Sequence, residues 1–513
     1  MTGTSEKQIA QLRASFEAAV AAGLLRVGSE PQNLFLVWRY DGVGFRYCVK
    51  CYRGKKGFSI VENDEAIGAW IAAGELERVR AEAKPRASRS HPLGTLHLLA
   101  APKAREAERA ERGRSIGLGD LSLDQERAFS ALLRWVERPH ARLLTLGGYA
   151  GTGKSTLLGL LARELGDRQV AFCAYTGRAA SVLRRKLGEA GVPLENCTCT
   201  TIHGLLYEAV ADPETGLVIE WRPRPRLDCD LIVVDEASMV DRELFEDLAK
   251  HEIPILAVGD HGQLPPVGGD GDLMQRPDLR LEQVHRQAAE NPIIALSMAI
   301  RGQREALAAV KSDSRVTRME SWDGLEALMR RELRSPESAD EIVFLCYYNQ
   351  TRVRLNALAR ALLGFTDPQL EARERVICLR NARFEVGLVA NGMRGAIEQV
   401  AQHPERSDQL QASVRFAEEG LRFEGRLAKA QFGRETRLQE FAEIGDHVRS
   451  WDQVGMLFDW GYALTVHKAQ GSQFRRVVLC RDDPGRGDEK GRRWLYTAVT
   501  RAVDSLVIVG AGI

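Results

Sequence analysis

The chain has 513 residues, beyond the size at which one hydrophobic core stops growing, so roughly three or four units are expected. Hydrophobic residues make up 44% and charged residues 27%, the balance of an ordinary globular protein. With 71 Lys+Arg against 70 Asp+Glu the net charge is +1, which argues against a histone-like basic coat but leaves room for an enzyme that offsets a basic groove with acidic outer faces.

The first ten residues are polar and mixed in charge, without the apolar core of a secretory signal. Apolar runs such as Leu231–Val234 and Leu506–Val509 are far too short to span a bilayer. The expectation is a cytoplasmic protein without membrane association, its nine scattered cysteines free thiols. Residues Ser5–Gly23 read as an amphipathic helix, followed by strand-like runs Leu34–Tyr40, Phe45–Tyr52 and Phe58–Val61 and a helix over Glu65–Ala81. Together they predict a small α+β module over residues 1–83. Cys48 and Cys51 have the spacing of half a zinc site, but a strand sends residues three apart to opposite faces, and no second pair follows. From Lys84 to Arg114 come eight Lys and Arg and three Glu among Pro, Ser, Ala and Gly, read as a basic linker over 84–117 with a helix at Ala101–Arg112. It is a solvated tether or a weak nucleic-acid contact.

From Leu121 strands and helices alternate. Leu143–Leu146, Val170–Ala174, Leu231–Val234 and Ile255–Val258 are short apolar runs separated by helical segments, the pattern of a parallel sheet covered on both faces. A second series comprises Ile342–Leu345, Tyr462–Leu464, Val477–Leu479 and Leu506–Val509, with helices at Thr351–Leu363 and Trp494–Arg501. The second series is interrupted by an insert, Val376–Asp452. It begins strand-like at Arg375–Leu379, turns at Asn391-Gly392, and is read as helical or irregular over Gln409–Leu438. The fold class is therefore α/β, with two such domains.

Gly148-Tyr-Ala-Gly151-Thr152-Gly153-Lys154-Ser155 fits the phosphate-loop pattern at every position, and Thr156 follows it. Its glycines let backbone N–H groups curl around a phosphate, Lys154 reaches the terminal phosphates, and Ser155 can ligate Mg²⁺. Val233-Val234-Asp235-Glu236 ends a buried strand with two carboxylates. Asp235 suits Mg²⁺ and Glu236 suits the activation of water, which favours hydrolysis of ATP over transfer to a small acceptor. Alone, the pair could equally be two solvated loop acids.

Further motifs accompany these: Leu123-Asp124-Gln125-Glu126, Thr176-Gly177-Arg178-Ala179-Ala180, Thr201-Ile202-His203-Gly204, Asp235-Glu236-Ala237-Ser238-Met239, Gly259-Asp260-His261-Gly262-Gln263-Leu264-Pro265-Pro266, Val284-His285-Arg286-Gln287, Thr465-Val466-His467-Lys468-Ala469-Gln470-Gly471-Ser472, and Tyr496-Thr497-Ala498-Val499-Thr500-Arg501-Ala502. In order and spacing, Leu121–Gly510 resembles the superfamily 1B DNA helicases of the RecD-like and Dda-like branch. The resemblance implies two RecA-like domains, 1A over 118–290 and 2A over 291–375 and 453–513. It also implies a duplex-splitting pin hairpin at about 205–226 and an SH3-like insert, 2B, over 376–452. Gln125 resembles the adenine-reading glutamine, Gln263 the γ-phosphate sensor, and Arg286 and Arg501 arginine fingers. Thr176, Arg178, Thr201, His203, Thr465, His467 and Lys468 match positions lining a single-strand DNA groove, although His203 and His467 also suit purely structural roles.

What this implies is an ATP- and Mg²⁺-dependent helicase of replication, recombination or repair, in a bacterial or phage-infected cell. It would move 5′→3′ on single-stranded and forked DNA, with a protein partner held through the N-terminal module. The alternative is a DNA-stimulated translocase, or the motor subunit of a larger complex, that does not unwind alone. Residues 1–120 carry 19 Lys and Arg against 14 Asp and Glu, so the motor is slightly acidic. Its hold on DNA should come from placed groups rather than bulk charge.

Overall fold

The computed structural model describes residues 33–40, 45–52, 58–61, 93–99, 117–192, 197–211, 218–266, 272–284, 290–302, 315–384, 387–438, 442–444, 447–449, 454–483 and 488–510. The chain divides into two compact units, residues 1–90 and 91–513. In the first, strands Asn33–Tyr40, Phe45–Tyr52 and Phe58–Val61 pair antiparallel in sequence order, as their alternation and turn residues predict. Cys48 pairs with Val37 and Cys51 with Leu34 in that ladder. The helices expected at Ser5–Gly23, Glu65–Ala81 and Ala101–Arg112 lie outside the described residues.

The second unit holds two parallel sheets. The first has the order Leu279–Leu281, Leu143–Gly148, Ile255–Gly259, Leu231–Asp235, Val170–Ala174, Cys197–Thr201. Its central strands are continuous apolar runs because helices bury both faces. Leu132 and Trp135 of helix Leu123–Glu137 pack on one side, and Leu244 and Leu248 of helix Arg242–Ala249 on the other. Strands Leu143–Gly148 and Val170–Ala174 follow one another in sequence but lie apart in the sheet, so loops diverge at the carboxyl ends between them. Gly148, Asp235 and Asp260 all sit at those carboxyl ends.

The second sheet has the order Val316–Met319, Ala502–Val509, Phe474–Cys480, Ile342–Cys346, Ala463–Thr465, again all parallel. The expected strands recur here, Tyr462–Leu464 shifted by one residue. Helices are Asn349–Leu362 and Glu489–Val499, the latter starting earlier than Trp494 because Asp488 caps it by accepting from Gly491 N.

The insert corrects the sequence reading. Gln409–Leu438 is read above as helical or irregular, yet Gln409–Phe416 and Leu421–Ala428 are paired eight-residue strands. Leu421, Phe423, Gly425 and Leu427 alternate into the core. The charged residues between them share the outer face and pair there: Arg422 reaches Glu398 on strand Arg394–Gln402 and Glu424 on its own strand, each at 2.9 Å. The linker reading also fails at one place. Gly94–Leu98 is a strand on the edge of the same sheet, paired with Leu421–Gly425, with Leu93 and Leu96 buried. A Cβ on Gly94 would lie 2.1 Å from Glu424 O, and one on Gly425 2.0 Å from Leu93 O, so two glycines make this close pairing possible. The full antiparallel order is Phe458–Trp460, Arg375–Cys378, Arg394–Gln402, Gln409–Phe416, Leu421–Ala428, Gly94–Leu98. A deletion through Arg114 would strip that edge; one ending at Ser90 spares it.

A buried polar stripe fastens this sheet to the second parallel sheet. Helix Asn349–Leu362 presents Arg352, Asn356 and Arg360 at four-residue spacing. Arg352 donates to Asp459 at 2.5 Å, Arg360 pairs with Glu374, and Asn356 accepts from Tyr462 N and Ala463 N and donates to Ala463 O. Burial pushes the Glu374 carboxyl up, and Arg360 pulls it back toward ionisation. Glu374→Gln leaves Arg360 buried without its counter-charge. Urea unfolding followed by circular dichroism should register a loss of about 3–5 kcal/mol.

Candidate nucleotide site and nucleic-acid cleft

The strand Leu143–Gly148 runs into the phosphate loop, and helix Lys154–Glu164 leaves it. Gly151 and Gly153 take left-handed φ values of 79° and 80°, which a side chain resists. A Cβ on Gly148 would lie 2.7 Å from Thr152 Oγ1. Lys154 Nζ donates to Gly148 O at 2.7 Å and Tyr149 O at 3.1 Å, which keeps the ammonium against the loop. Ser155 Oγ accepts from Lys186 Nζ at 3.0 Å. Gln125 is fully buried: its Nε2 donates to Thr152 O at 2.9 Å and its Oε1 accepts from Ser122 N at 2.9 Å. In this arrangement the glutamine braces the phosphate loop.

Glu236 follows Asp235 in a left-handed conformation, φ 52°, which turns the chain sharply at the strand end. Burial and the charge of Asp235 raise its carboxyl pKa, while Arg501 and Lys154 lower it, so these four groups share one neighbourhood. Glu236 Oε2 and Gln263 Oε1 are buried oxygens with no hydrogen-bond partner among the described residues. Orphaned acceptors beside a lysine and an arginine fit a site built for a cation-bearing, water-binding ligand, as MgATP is. Arg501 is buried and spends its guanidinium locally, on Thr497 O at 3.0 Å, Ser472 O at 3.1 Å and Thr500 Oγ1 at 3.2 Å. Arg286 lies outside the described residues, so one of the two expected fingers has no placement here.

Groups that the motif reading did not single out close this site from the second sheet. Tyr496 hydroxyl donates to Asp260 Oδ2 at 2.7 Å and accepts from Ala150 N at 2.9 Å. Leu264 N donates to Thr497 Oγ1 at 3.0 Å, and Gln470 Nε2 to Leu264 O at 3.3 Å. Arg301 lies 3.5 Å from the ring centre of Tyr149, which also meets His261 at 3.9 Å. The signal for Tyr496 was its place inside the quoted Tyr496–Ala502 motif; Arg301 carried none.

A second cleft, a cavity of about 170 Å³, opens between the first sheet, the second sheet and the insert. Thr176, Arg178, His467 and Lys468 line it, with Asn391 and Gly392 from the insert. Thr176 and Thr465 are helix caps, accepting from Ala179 N at 3.2 Å and Lys468 N at 3.3 Å. Arg178 is buried, donates to Glu418 at 3.1 Å and lies 5.3 Å from the Phe474 ring centre. Lys468 donates to Asn391 Oδ1 at 2.9 Å, and burial lowers its pKa. Thr201, His203 and Thr465 are not among the lining residues. Thr201 caps a short helix by accepting from Gly204 N, while exposed His203 stacks on Tyr207 at 6.0 Å. Tyr207 begins the hairpin Tyr207–Ala211 and Val218–Pro223 and donates to Asp247. The tip, Asp212–Gly216, lies outside the described residues.

No helix among the described residues is long and apolar enough to cross a membrane. Two family models match: an AAA domain over residues 120–321 and a UvrD-like helicase C-terminal domain over 461–509. The chain is 30% identical over 389 residues to the ATP-dependent RecD2 DNA helicase of Deinococcus radiodurans, covering 72% of this chain and 47% of that protein. It is 26% identical over 278 residues to the ATP-dependent DNA helicase Dda of Enterobacteria phage T4, covering 50% of this chain and 61% of that one. The chain thus spans about half the length of the first relative and less than two thirds of the second. A Bacteroides Pif1 helicase, solved with ADP-AlF3 and ssDNA, aligns over 76% of this chain and 92% of its own at 16% identity and a TM-score of 0.44. With the phosphate loop, the acidic strand end and the interlocking motifs set across two parallel sheets, and with both matched models falling on them, the chain belongs to the superfamily 1B helicases, in their RecD-like and Dda-like branch.

Proposed function

We propose that the chain is an ATP-dependent DNA helicase that moves 5′→3′ along single-stranded DNA and parts duplex DNA in replication, recombination or repair. One observation carries the reading: the nucleotide site and the 170 Å³ cleft lie between the same two α/β halves, so a change in one is geometrically a change in the other. ATP with Mg²⁺ supplies the anhydride whose hydrolysis drives that change. Ser155 and Asp235 would hold the metal, and Gly148, Gly151, Thr152, Gly153, Lys154 and Thr156 the phosphates, with Gln125 toward the adenine. Glu236, its carboxylate oxygen unpartnered, orients water and takes its proton. Gln263 senses the terminal phosphate, and Arg501 and Arg286 neutralise charge growing on it.

In this reading residues 118–290 form domain 1A, 291–375 and 453–513 form 2A, and 376–452 form an SH3-like 2B. The hairpin based at Tyr207 serves as the pin. Thr176, Arg178, His467 and Lys468 grip the strand from the cleft, while Thr201, Thr465 and His203 contribute at or behind its rim. The module at 1–83 recruits a protein partner. A second reading, translocation without unwinding, is favoured by the polar sequence of the hairpin tip, Asp212-Pro-Glu-Thr-Gly216, which offers no ring to a base pair.

A forked duplex with a 5′ tail should be unwound with ATP, and one with only a 3′ tail should not. ATP turnover without product strands would favour the translocase. Lys154→Ala should lower DNA-stimulated ATP hydrolysis by about 10²-fold or more, through lost charge at the phosphates.

Glu236→Gln should hold ATP and DNA together without turnover, seen as retained oligonucleotide binding in a gel-shift with ATP present. Loss of DNA binding would give Glu236 a wider role. Glu418→Gln removes the carboxylate that engages Arg178. Fluorescence anisotropy at low salt should then show single-strand affinity raised by about two- to tenfold, with a steeper salt dependence.

A further inference from the structure

We propose that Tyr496 is a positioning residue through which the second α/β half sets both the phosphate loop and Gln263, so that hydrolysis answers to closure of the cleft. The inference rests on the ATPase reading above. It assigns a role to a side chain for which the motor chemistry has had no use so far.

Tyr496 belongs to helix Glu489–Val499, yet its ring is buried in the edge of the first half. It meets Tyr149 of the phosphate loop edge-on, with ring centres 6.2 Å apart. A Cβ on Gly262 would stand 3.0 Å from Tyr496 Cε1 and 3.1 Å from Tyr149 Cε1, so a side chain there would crowd both rings. The hydroxyl donates to Asp260 Oδ2 and accepts from Ala150 N, so both of its hydrogen-bonding functions are used. Phenylalanine would fill the same space and make neither bond.

Asp260 extends the link. Its carboxylate is 1% exposed, accepts from Gly262 N at 2.9 Å, and receives Gln263 Nε2 at 3.3 Å on the same Oδ2 that Tyr496 holds. A continuous chain therefore runs from Ala150 through Tyr496 and Asp260 to Gln263, whose Oε1 is left unpartnered. When the halves part, Tyr496 withdraws with its own helix. Ala150 N and a buried carboxylate then lose a partner together, and the loop around Gln263 must rearrange or admit water. The phosphate contacts expected of Lys154, Ser155 and the loop glycines do not pass through this chain, so ATP binding and ATP turnover should separate.

The test is Tyr496→Phe in the full chain, with binding of a fluorescent ATP analogue and ATPase measured with and without single-stranded oligonucleotide. The analogue's Kd should stay within about twofold. DNA-stimulated kcat should fall about ten- to hundredfold, the worth of one lost hydrogen bond to a buried charge. Unchanged stimulation overturns the proposal, and so does a Kd weakened as much as kcat, which would mean that the hydroxyl merely shapes the binding site. Asp260→Asn and the double variant supply the control for misfolding: losses through one shared bond combine to less than their product, whereas fully multiplicative losses overturn the link. A wild-type chain with no ATP turnover defeats the motor reading and this inference with it. Wild-type turnover matched by Tyr496→Phe defeats this inference alone.

Discussion

A carboxylate at 1% exposure must be fully bonded or neutral, and Asp260 is the point where that constraint organises the motor. It ends the strand Ile255–Gly259, between the strands that deliver the phosphate loop and the Asp235-Glu236 pair. Its partners are a backbone amide, the amide of Gln263 and the phenol of Tyr496. One of the three comes from the other half of the molecule. The nucleotide side of the first sheet is thus complete only when the second sheet is docked on it. Coupling of chemistry to domain movement needs such a dependence, and on the proposal above a side chain shared between halves would supply it without any long relay.

The second half is fastened to its insert by buried polar contacts. An apolar seam alone would let an antiparallel sheet slide on a parallel one. Here Arg352, Asn356 and Arg360 reach from one helix into the strands that leave and re-enter the domain. Buried ion pairs add little net stability, but they penalise every register except one. Phe416, Phe423 and Phe458 stack in the core beneath, with ring centres 6.2 to 6.3 Å apart, and Leu93 and Leu96 seal the far edge. The segment ahead of the first parallel sheet in sequence thereby becomes part of the insert.

The catalytic half of this molecule was legible because its chemistry is local. A phosphate loop needs its glycines at fixed offsets, and an acidic strand end needs Asp and Glu side by side, so Gly148–Ser155 and Asp235-Glu236 announce themselves in a few residues. Parallel strands buried on both faces read as unbroken apolar runs, which made Leu231–Asp235 and Ile255–Gly259 plain. The insert was harder for the opposite reason. In Leu421–Ala428 the buried positions alternate with Arg422, Glu424 and Arg426, but one of the buried positions is Gly425, which adds no apolar side chain to the period-two signal. Gly94–Leu98 is five residues inside a basic, small-residue stretch, and only its partner strand reveals it. Tyr496 stood inside a quoted motif but its partners Ala150 and Asp260 did not follow from it, and Arg301 had no local signal at all; both contacts need two distant segments brought together.

The cleft proposed to face DNA is built differently from the nucleotide site. Its cationic groups are already engaged: Arg178 by Glu418 and the Phe474 ring, Lys468 by Asn391. On the proposed helicase reading, a motor that releases its strand at every step is better served by such compensated charges than by a bare basic trough, since each phosphate then replaces an existing partner and the net gain per contact is small. Closeness of approach matters more. A Cβ on Gly177 would fall 2.3 Å from Ala390 Cβ, so glycine there lets the insert come within contact of the helix that Thr176 caps. On the helicase reading, a net charge of +1 fits a grip set by how closely the first sheet, the second sheet and the insert meet around a strand rather than by bulk charge.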